Sequence, residues 1–166
     1  MKWTIAGAIL IGTLPLAVAP AAAEAQAART PDVIYVPTPP DVVDKMLEMA
    51  AVKDGLNMTD VAASQGIDID PERIGEARAN AEEAGVADEV TFRQEDLFKA
   101  DFSDATVVTL YLLDSLNEKL RPRLLKELKP GTRIVSHAFR MGDWEPEATA
   151  DVDGRMVYFW TVPKRR

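Results

Sequence analysis

Apolar positions along the chain switch between two periods, and the switches predict the elements. After Asp32-Val33-Ile34-Tyr35-Val36, an extended apolar run closed by Pro37, the positions Val42, Val43, Met46, Leu47, Met49 and Ala50 recur at helical spacing to about Val52. Thr38 is expected to cap this helix, with prolines at its first positions. Gly66 to Asp70 reads as a short strand, followed by a helix capped by Asp70, started by Pro71 and stopped by Gly85. Ile74, Ala77, Ala81 and Ala84 form its inner stripe, and Arg78 with Glu82 an outward i,i+4 pair. Strands follow at Val90–Gln94 and Thr106–Leu112, the second with the apolar content of a strand buried on both faces. Pro122 is read as the start of a helix carrying Leu124, Leu125 and Leu128, and Thr132–Phe139 as the next strand. The tail reads as a hairpin, Ala148–Val152 and Arg155–Val162 around Asp153-Gly154. Strands alternating with helices imply an α/β fold: a Rossmann-like, mostly parallel sheet with a C-terminal antiparallel hairpin.

The first 23 residues follow another pattern. Met1-Lys2 is positive, Trp3 to Ala19 is uncharged and mostly apolar, and small residues at small-x-small spacing follow. This is the layout of a secretory signal peptide, interrupted by Pro15 and Pro20, and the expectation is export or, if the segment is retained, a membrane anchor. Residues 24–31 read as a small-residue tether, and 32–166 as the folded domain.

Composition narrows the chemistry. The 166 residues contain no cysteine and one histidine, so a disulfide scaffold, a thiolate metal site, a cysteine nucleophile and a His-rich centre are excluded or disfavoured. A net charge of −8 argues against nucleic acid and anionic lipid as partners, since both call for a Lys/Arg surface. No metal is expected, and membrane contact only through the N-terminal segment.

The order strand, acid, helix, strand, acid, strand, helix, strand, hairpin resembles a class I S-adenosylmethionine-dependent methyltransferase. Tyr35-Val36-Pro37-Thr38-Pro39, Gly66-Ile67-Asp68-Ile69-Asp70-Pro71, Glu95-Asp96-Leu97-Phe98 and Leu128-Lys129-Pro130-Gly131-Thr132-Arg133-Ile134-Val135-Ser136 carry the resemblance. They look like a bacterial branch similar to lysine methyltransferases of small membrane subunits such as the ATP synthase c-subunit. The resemblance implies S-adenosylmethionine as cofactor and a protein lysine or similar amine as acceptor. It also implies cofactor contacts at Tyr35, Thr38, Asp68, Ile69, Asp96, Leu97 and Tyr111. An acid at the end of the family's second strand accepts the ribose hydroxyls, as in dinucleotide folds, and Asp68 matches it; its other reading is a turn aspartate, which suits Asp70 better. Asp96 matches the acid that accepts the adenine amino group, or else is a strand-end aspartate in a turn. Tyr35 and Thr38 read equally as a packed aromatic and a helix cap. Tyr111 and Leu112 lie where the methyl acceptor enters, though core packing explains them as well. His137 reads as a structural histidine and Trp144 as packing. Methyl transfer is an in-line displacement in which positioning supplies much of the rate, so no base is nominated.

One departure stands out. The family places a strand and a glycine-rich turn before the second strand, and that strand–helix–strand unit needs about 30 residues. Between Lys53 and Gly66 there are twelve residues with one glycine, Gly55. The first strand, which is central in the family's sheet, and its glycine loop are missing. The 66–70 strand is then expected either to pair directly with the 106–112 strand or to leave an open edge. Two functions remain: the methyltransferase, and a non-catalytic methyltransferase-like remnant. A nicotinamide oxidoreductase would need a Gly-x-Gly-x-x-Gly turn that is also missing.

Overall fold

A computed structural model describes residues 37–52 and 64–165. The signal and tether segments, the run 32–36 with Tyr35, and most of the short 54–65 stretch lie outside the described residues. In chain order the elements are α1 (Pro40–Met49), β1 (Ser64–Asp68), α2 (Pro71–Glu83), β2 (Val90–Gln94), β3 (Val107–Leu110), α3 (Asp114–Glu127), β4 (Arg133–His137), β5 (Ala148–Val152) and β6 (Arg155–Thr161).

The strands form two sheets. β1 and β2 pair in parallel, with Ser64 opposite Val90 and Asp68 opposite Gln94. The second sheet has the order β3-β4-β6-β5, its first pair parallel and the other two antiparallel. Of the two pairings expected from the short 54–65 segment, the structure takes the open edge. Neither the free side of β1 nor that of β3 has a strand partner among the described residues.

β4 is the spine of the larger sheet, and its alternating side chains separate two cores. Ile134 faces a cluster built with Leu120 and Leu124 of α3, Val108 and Leu110 of β3, and Trp160 of β6. Val135 faces the other side, where α1 packs Val42, Met46 and Ala50 against it and Val157. The four-stranded sheet is therefore sandwiched between α1 and α3. Ile67 of β1 belongs to the α3-side cluster, so the two-stranded sheet shares that core although no ladder joins it. α2 packs on β1 and β2.

Several boundaries move from their expected places. β1 starts at Ser64 because all five residues to Asp68 find ladder partners on β2, whatever their polarity. β3 stops at Leu110, and its residues alternate between half-buried and buried, as an edge strand's do. Pro122 lies inside α3 and does not start it: the face Asn117, Leu120 and Leu124 is buried across the proline, so packing outweighs the one hydrogen bond Pro122 removes. Thr38 does not cap α1; Pro39 occupies the cap position and Thr38 turns to β4. The guanidinium of Arg78 donates to the Phe92 carbonyl at 3.0 Å and not to Glu82. β4 ends where Ala138 enters the left-handed region at φ 63°. The tail hairpin matches, with Asp153 (φ 50°) and Gly154 (φ 81°) making a turn of the left-handed type that suits strand twist.

Arg123 of α3 substitutes in part for the missing ladder. Its Nη1 donates to the Leu97 carbonyl at 3.0 Å and its Nη2 to the Ala100 carbonyl at 2.7 Å. Glu127 holds the same guanidinium through Oε1 at 2.8 Å and Oε2 at 2.6 Å, and the group lies over the Phe102 ring. The connection from β2 to β3 is thereby pinned to the larger sheet. Arg123→Ala strands two half-buried carbonyls, and we expect it to lower stability by about 2 kcal/mol, measured by chemical denaturation.

Candidate functional site

The two acids singled out by the sequence stand together. Asp68 ends β1, and its Oδ1 accepts the Asp70 N–H at 2.8 Å. Asp70 in turn caps α2, accepting the Glu72 N–H at 2.9 Å. The capping role thus belongs to Asp70. Asp96 lies two residues past Gln94, the ladder partner of Asp68, so both carboxylates sit at the carboxyl edge of the two-stranded sheet. Asp96 Oδ1 accepts the Phe98 N–H at 3.0 Å, and its Oδ2 lies 4.0 Å from Lys99 Nζ. Ile69 offers its carbonyl to Gln94 Nε2 at 3.4 Å, and the Leu97 side chain is half-buried against the main core.

Burial pushes the Asp68 carboxyl above its ordinary value, aided by the neighbouring charge of Asp70; the backbone N–H groups of Asp70 and Ile69 and the charge of Arg73 oppose it. A carboxylate kept against its own desolvation is a functional-site signal, because folding gains nothing from the charge.

Tyr111 and Thr38 fall in a second group, at the carboxyl edge of the larger sheet on its α1 face. Tyr111 is the first residue beyond β3. Its ring stacks on His137 with centroids 4.3 Å apart and tilts against Phe139 at 5.8 Å. Thr38 Oγ1 and His137 Nδ1 are hydrogen-bonded at 3.2 Å, fastening the start of α1 to the end of β4. His137 is buried, and that burial, with the nearby charge of Arg155, lowers its pKa against the opposing effect of Asp41. Tyr35 precedes this group in the chain and lies outside the described residues.

Sequence reasoning missed two members of this edge. The sequence pattern makes Phe139 the last residue of a strand, whereas β4 ends before the left-handed Ala138 and the Phe139 ring turns to Tyr111. Asn117 was missed because the helix was started at Pro122. It is wholly buried, its Nδ2 within 3.3 Å of Ser136 Oγ and 3.4 Å of the Phe139 carbonyl, and its Oδ1 has no partner. Its spacing to Leu120 and Leu124, i, i+3 and i+7, is the signal that could have found it. Trp144 packs on Trp160 and accepts the Trp160 Nε1–H at its carbonyl. Asp114 accepts the Arg140 N–H at 2.6 Å.

Comparison with known proteins places this arrangement. Residues 48–148 match the family model described as the ANTKMT methyltransferase domain. The chain belongs to that family. A protein-lysine N-methyltransferase of Saccharolobus islandicus is 40% identical over 157 residues, 82% of this chain and 98% of the relative. Since 82% of 166 residues falls short of 157, the relative carries residues within the shared span that this chain lacks. The adenine nucleotide translocase lysine N-methyltransferase of Mus musculus is 31% identical over 72% of this chain, which spans 50% of that protein's length. Among solved structures, an RNA methyltransferase from Salinibacter ruber in complex with S-adenosyl-L-homocysteine is 51% identical. It superposes with a TM-score of 0.72, covering 79% of this chain and 96% of the other. A SAM-dependent O-methyltransferase of Thermotoga maritima shares the fold at 16% identity and a TM-score of 0.59. The family is one of S-adenosylmethionine-dependent protein-lysine methyltransferases, and the Rossmann-like reading of the fold holds.

For a methyltransferase-family chain, Asp68→Asn separates stability from function. The amide oxygen still accepts the Asp70 N–H while the buried charge is gone, so the melting temperature at pH 7 is expected to rise and nucleoside binding to weaken. A fall in melting temperature would mean that the carboxylate is structural. For His137 the sign runs the other way. Its native pKa lies below the ordinary 6.5, so its contribution is fully present above pH 6.5 and is lost as pH falls through the lowered native value. Melting temperatures of wild type and His137→Gln between pH 7.5 and 5 should diverge, the variant showing the shallower decline.

Proposed function

We propose that the reaction class of this chain is methyl transfer from S-adenosylmethionine to a protein lysine or similar amine, and that the chain keeps only the adenosine end of the donor site. The observation that carries this reading is the placement of Asp68 and Asp96 at one carboxyl edge, each holding a backbone N–H with one oxygen. In this reading Asp68 accepts the ribose hydroxyls and Asp96 the adenine amino group. Ile69 and Leu97, each next to one of the acids, flank the base. Thr38 lies on the N-terminal side, and Tyr111 marks the acceptor's entry at the end of β3.

These residues fit a nucleoside. They do not fit the amino-acid part of the donor, which in this fold class needs a glycine-rich turn and free N–H groups of a following helix. The twelve residues 54–65 hold one glycine and are too few for that unit. The open edges of β1 and β3 therefore favour a second reading, a non-catalytic methyltransferase-like remnant. A protein substrate is supported by the relatives and by the net charge of −8, which is poorly suited to neutralising RNA phosphates. The N-terminal pattern supports export, or anchoring where the segment is retained.

Isothermal titration separates the readings. Donor binding by the full chain is expected to be weaker than micromolar, and to reach micromolar when a strand and glycine turn replace residues 54–65. Transfer of labelled methyl groups to membrane proteins should follow the same split. Micromolar binding and transfer by the chain as it stands would make it a competent enzyme and dismiss the remnant.

A further inference from the structure

We propose that Asn117 is a positioning residue: it holds a strained turn at Ala138, and that turn seats the Phe139 ring against Tyr111. Asn117 thereby shapes the entry that Tyr111 marks, a role that rests on the methyl-transfer reading. The Phe139 N–H donates to the His137 carbonyl at 2.8 Å, across Ala138 at φ 63°. A hydrogen bond between residues two apart, with a left-handed residue between them, is the rare and strained form of γ-turn. A side chain at this φ crowds the following carbonyl, so alanine stays there only where its neighbours compel it. A strand continuing at about 3.3 Å per residue would carry Phe139 about 7 Å beyond His137. The turn folds it back, and His137 and Phe139 both meet the Tyr111 ring, with centroids 4.3 and 5.8 Å away.

Two elements hold the turn. β6 supplies one grip, its Met156 carbonyl accepting the Ala138 N–H at 2.7 Å. α3 supplies the others from one face, at the spacing i, i+3, i+7. Asp114 Oδ1 accepts the Arg140 N–H at 2.6 Å, Asn117 Nδ2 donates to the Phe139 carbonyl at 3.4 Å, and Arg121 Nη1 donates to the Met141 carbonyl at 2.8 Å. All three engage the backbone, so they fix the path of residues 139–141 whatever side chains those residues carry. Asn117 alone of the three also reaches the near side of the turn, where its Nδ2 donates to Ser136 Oγ at 3.3 Å. Packing by itself would not choose an amide here. Asn117 is wholly buried on a stripe with Leu120 and Leu124, and its Oδ1 has no partner among the described residues. A buried, unpaired acceptor costs stability that a leucine of similar volume would not. What the amide supplies is a pair of N–H donors aimed at the two ends of the turn. Tyr111 and Phe139 then form adjoining walls of the entry, and fixing one against the other is a contribution of position, not of proton transfer.

Nuclear Overhauser contacts among the three rings of the full chain test the proposal. Neither donor nor acceptor is added, so its failure and that of the methyl-transfer reading are separate outcomes. The wild-type chain should show Tyr111 in contact with both His137 and Phe139. Asn117→Ala should lose the Phe139 contact and keep the His137 stack, which reports an intact β3–β4 pair. Adding Ala138→Gly to that variant should restore the Phe139 contact, because glycine takes a left-handed φ without strain. Ala138→Val serves where Asn117→Ala fails to fold: position 138 is exposed, and a β-branched side chain at that φ should break the same contact with Asn117 in place. Leu124→Ala, a cavity on the same face of α3, should lower the melting temperature and leave both contacts. Retention of the Phe139 contact in Asn117→Ala or Ala138→Val, loss of both contacts together in Asn117→Ala, loss of either in Leu124→Ala, or no recovery with glycine would each overturn it.

Discussion

A parallel strand in the middle of an α/β core has two rows of backbone donors and acceptors, and both rows need partners once water is excluded. Everything unusual in this molecule follows from the shortage of chain between the end of α1 and the start of β1. Among the described residues β1 and β3 each have one hydrogen-bonded neighbour. What elsewhere would be a continuous ladder is here carried by side chains. Arg123 reaches across from α3 to two carbonyls of the β2–β3 connection, and Ile67 enters the same apolar cluster as β3. A guanidinium with five donors in a planar fork suits the first task, since it can hold two carbonyls and a carboxylate at once.

The same shortage divides the site. The acids belong to the two-stranded sheet and the aromatic group to the four-stranded one, and each half is set by its own local chemistry. Asp68 is held at the end of β1 by the backbone N–H groups of Asp70 and Ile69 while burial resists its charge. His137 is held neutral by burial and Arg155, bonded to Thr38 and covered by Tyr111. One edge presents two carboxylates; the other closes the start of α1 onto the sheet.

Much of this was legible in the sequence, for reasons that can be named. β2, α2 and the final hairpin were placed almost to the residue, because turn and cap chemistry marks their ends: Asp70-Pro71, Gly85 and Asp153-Gly154. The acids were legible because their strand-end positions recur in a known order. The misses share a cause. Thr38 lies 99 residues from His137, and a cap motif cannot say that tertiary contact will claim its hydroxyl. Pro122 reads as a helix start until Asn117 and Leu120 are seen to be buried on the same face. β3 reads from its composition as covered on both faces, yet composition does not tell a central strand from one at the edge of its sheet.

What holds the fold together lies in where the cores sit. Both apolar clusters are centred on β4, one under α3 and one under α1, and the three strands β4, β6 and β5 carry antiparallel ladders that do not involve the gap. Trp160, Ile134, Val135 and Val157 are fully buried at that spine. The open edge of β3 among the described residues therefore lies away from the spine on which both cores are built. In this architecture the residues that hold the fold and those proposed to hold the ligand occupy different parts of the sheets, so membership of a methyltransferase family and the capacity to transfer a methyl group are separable physical properties.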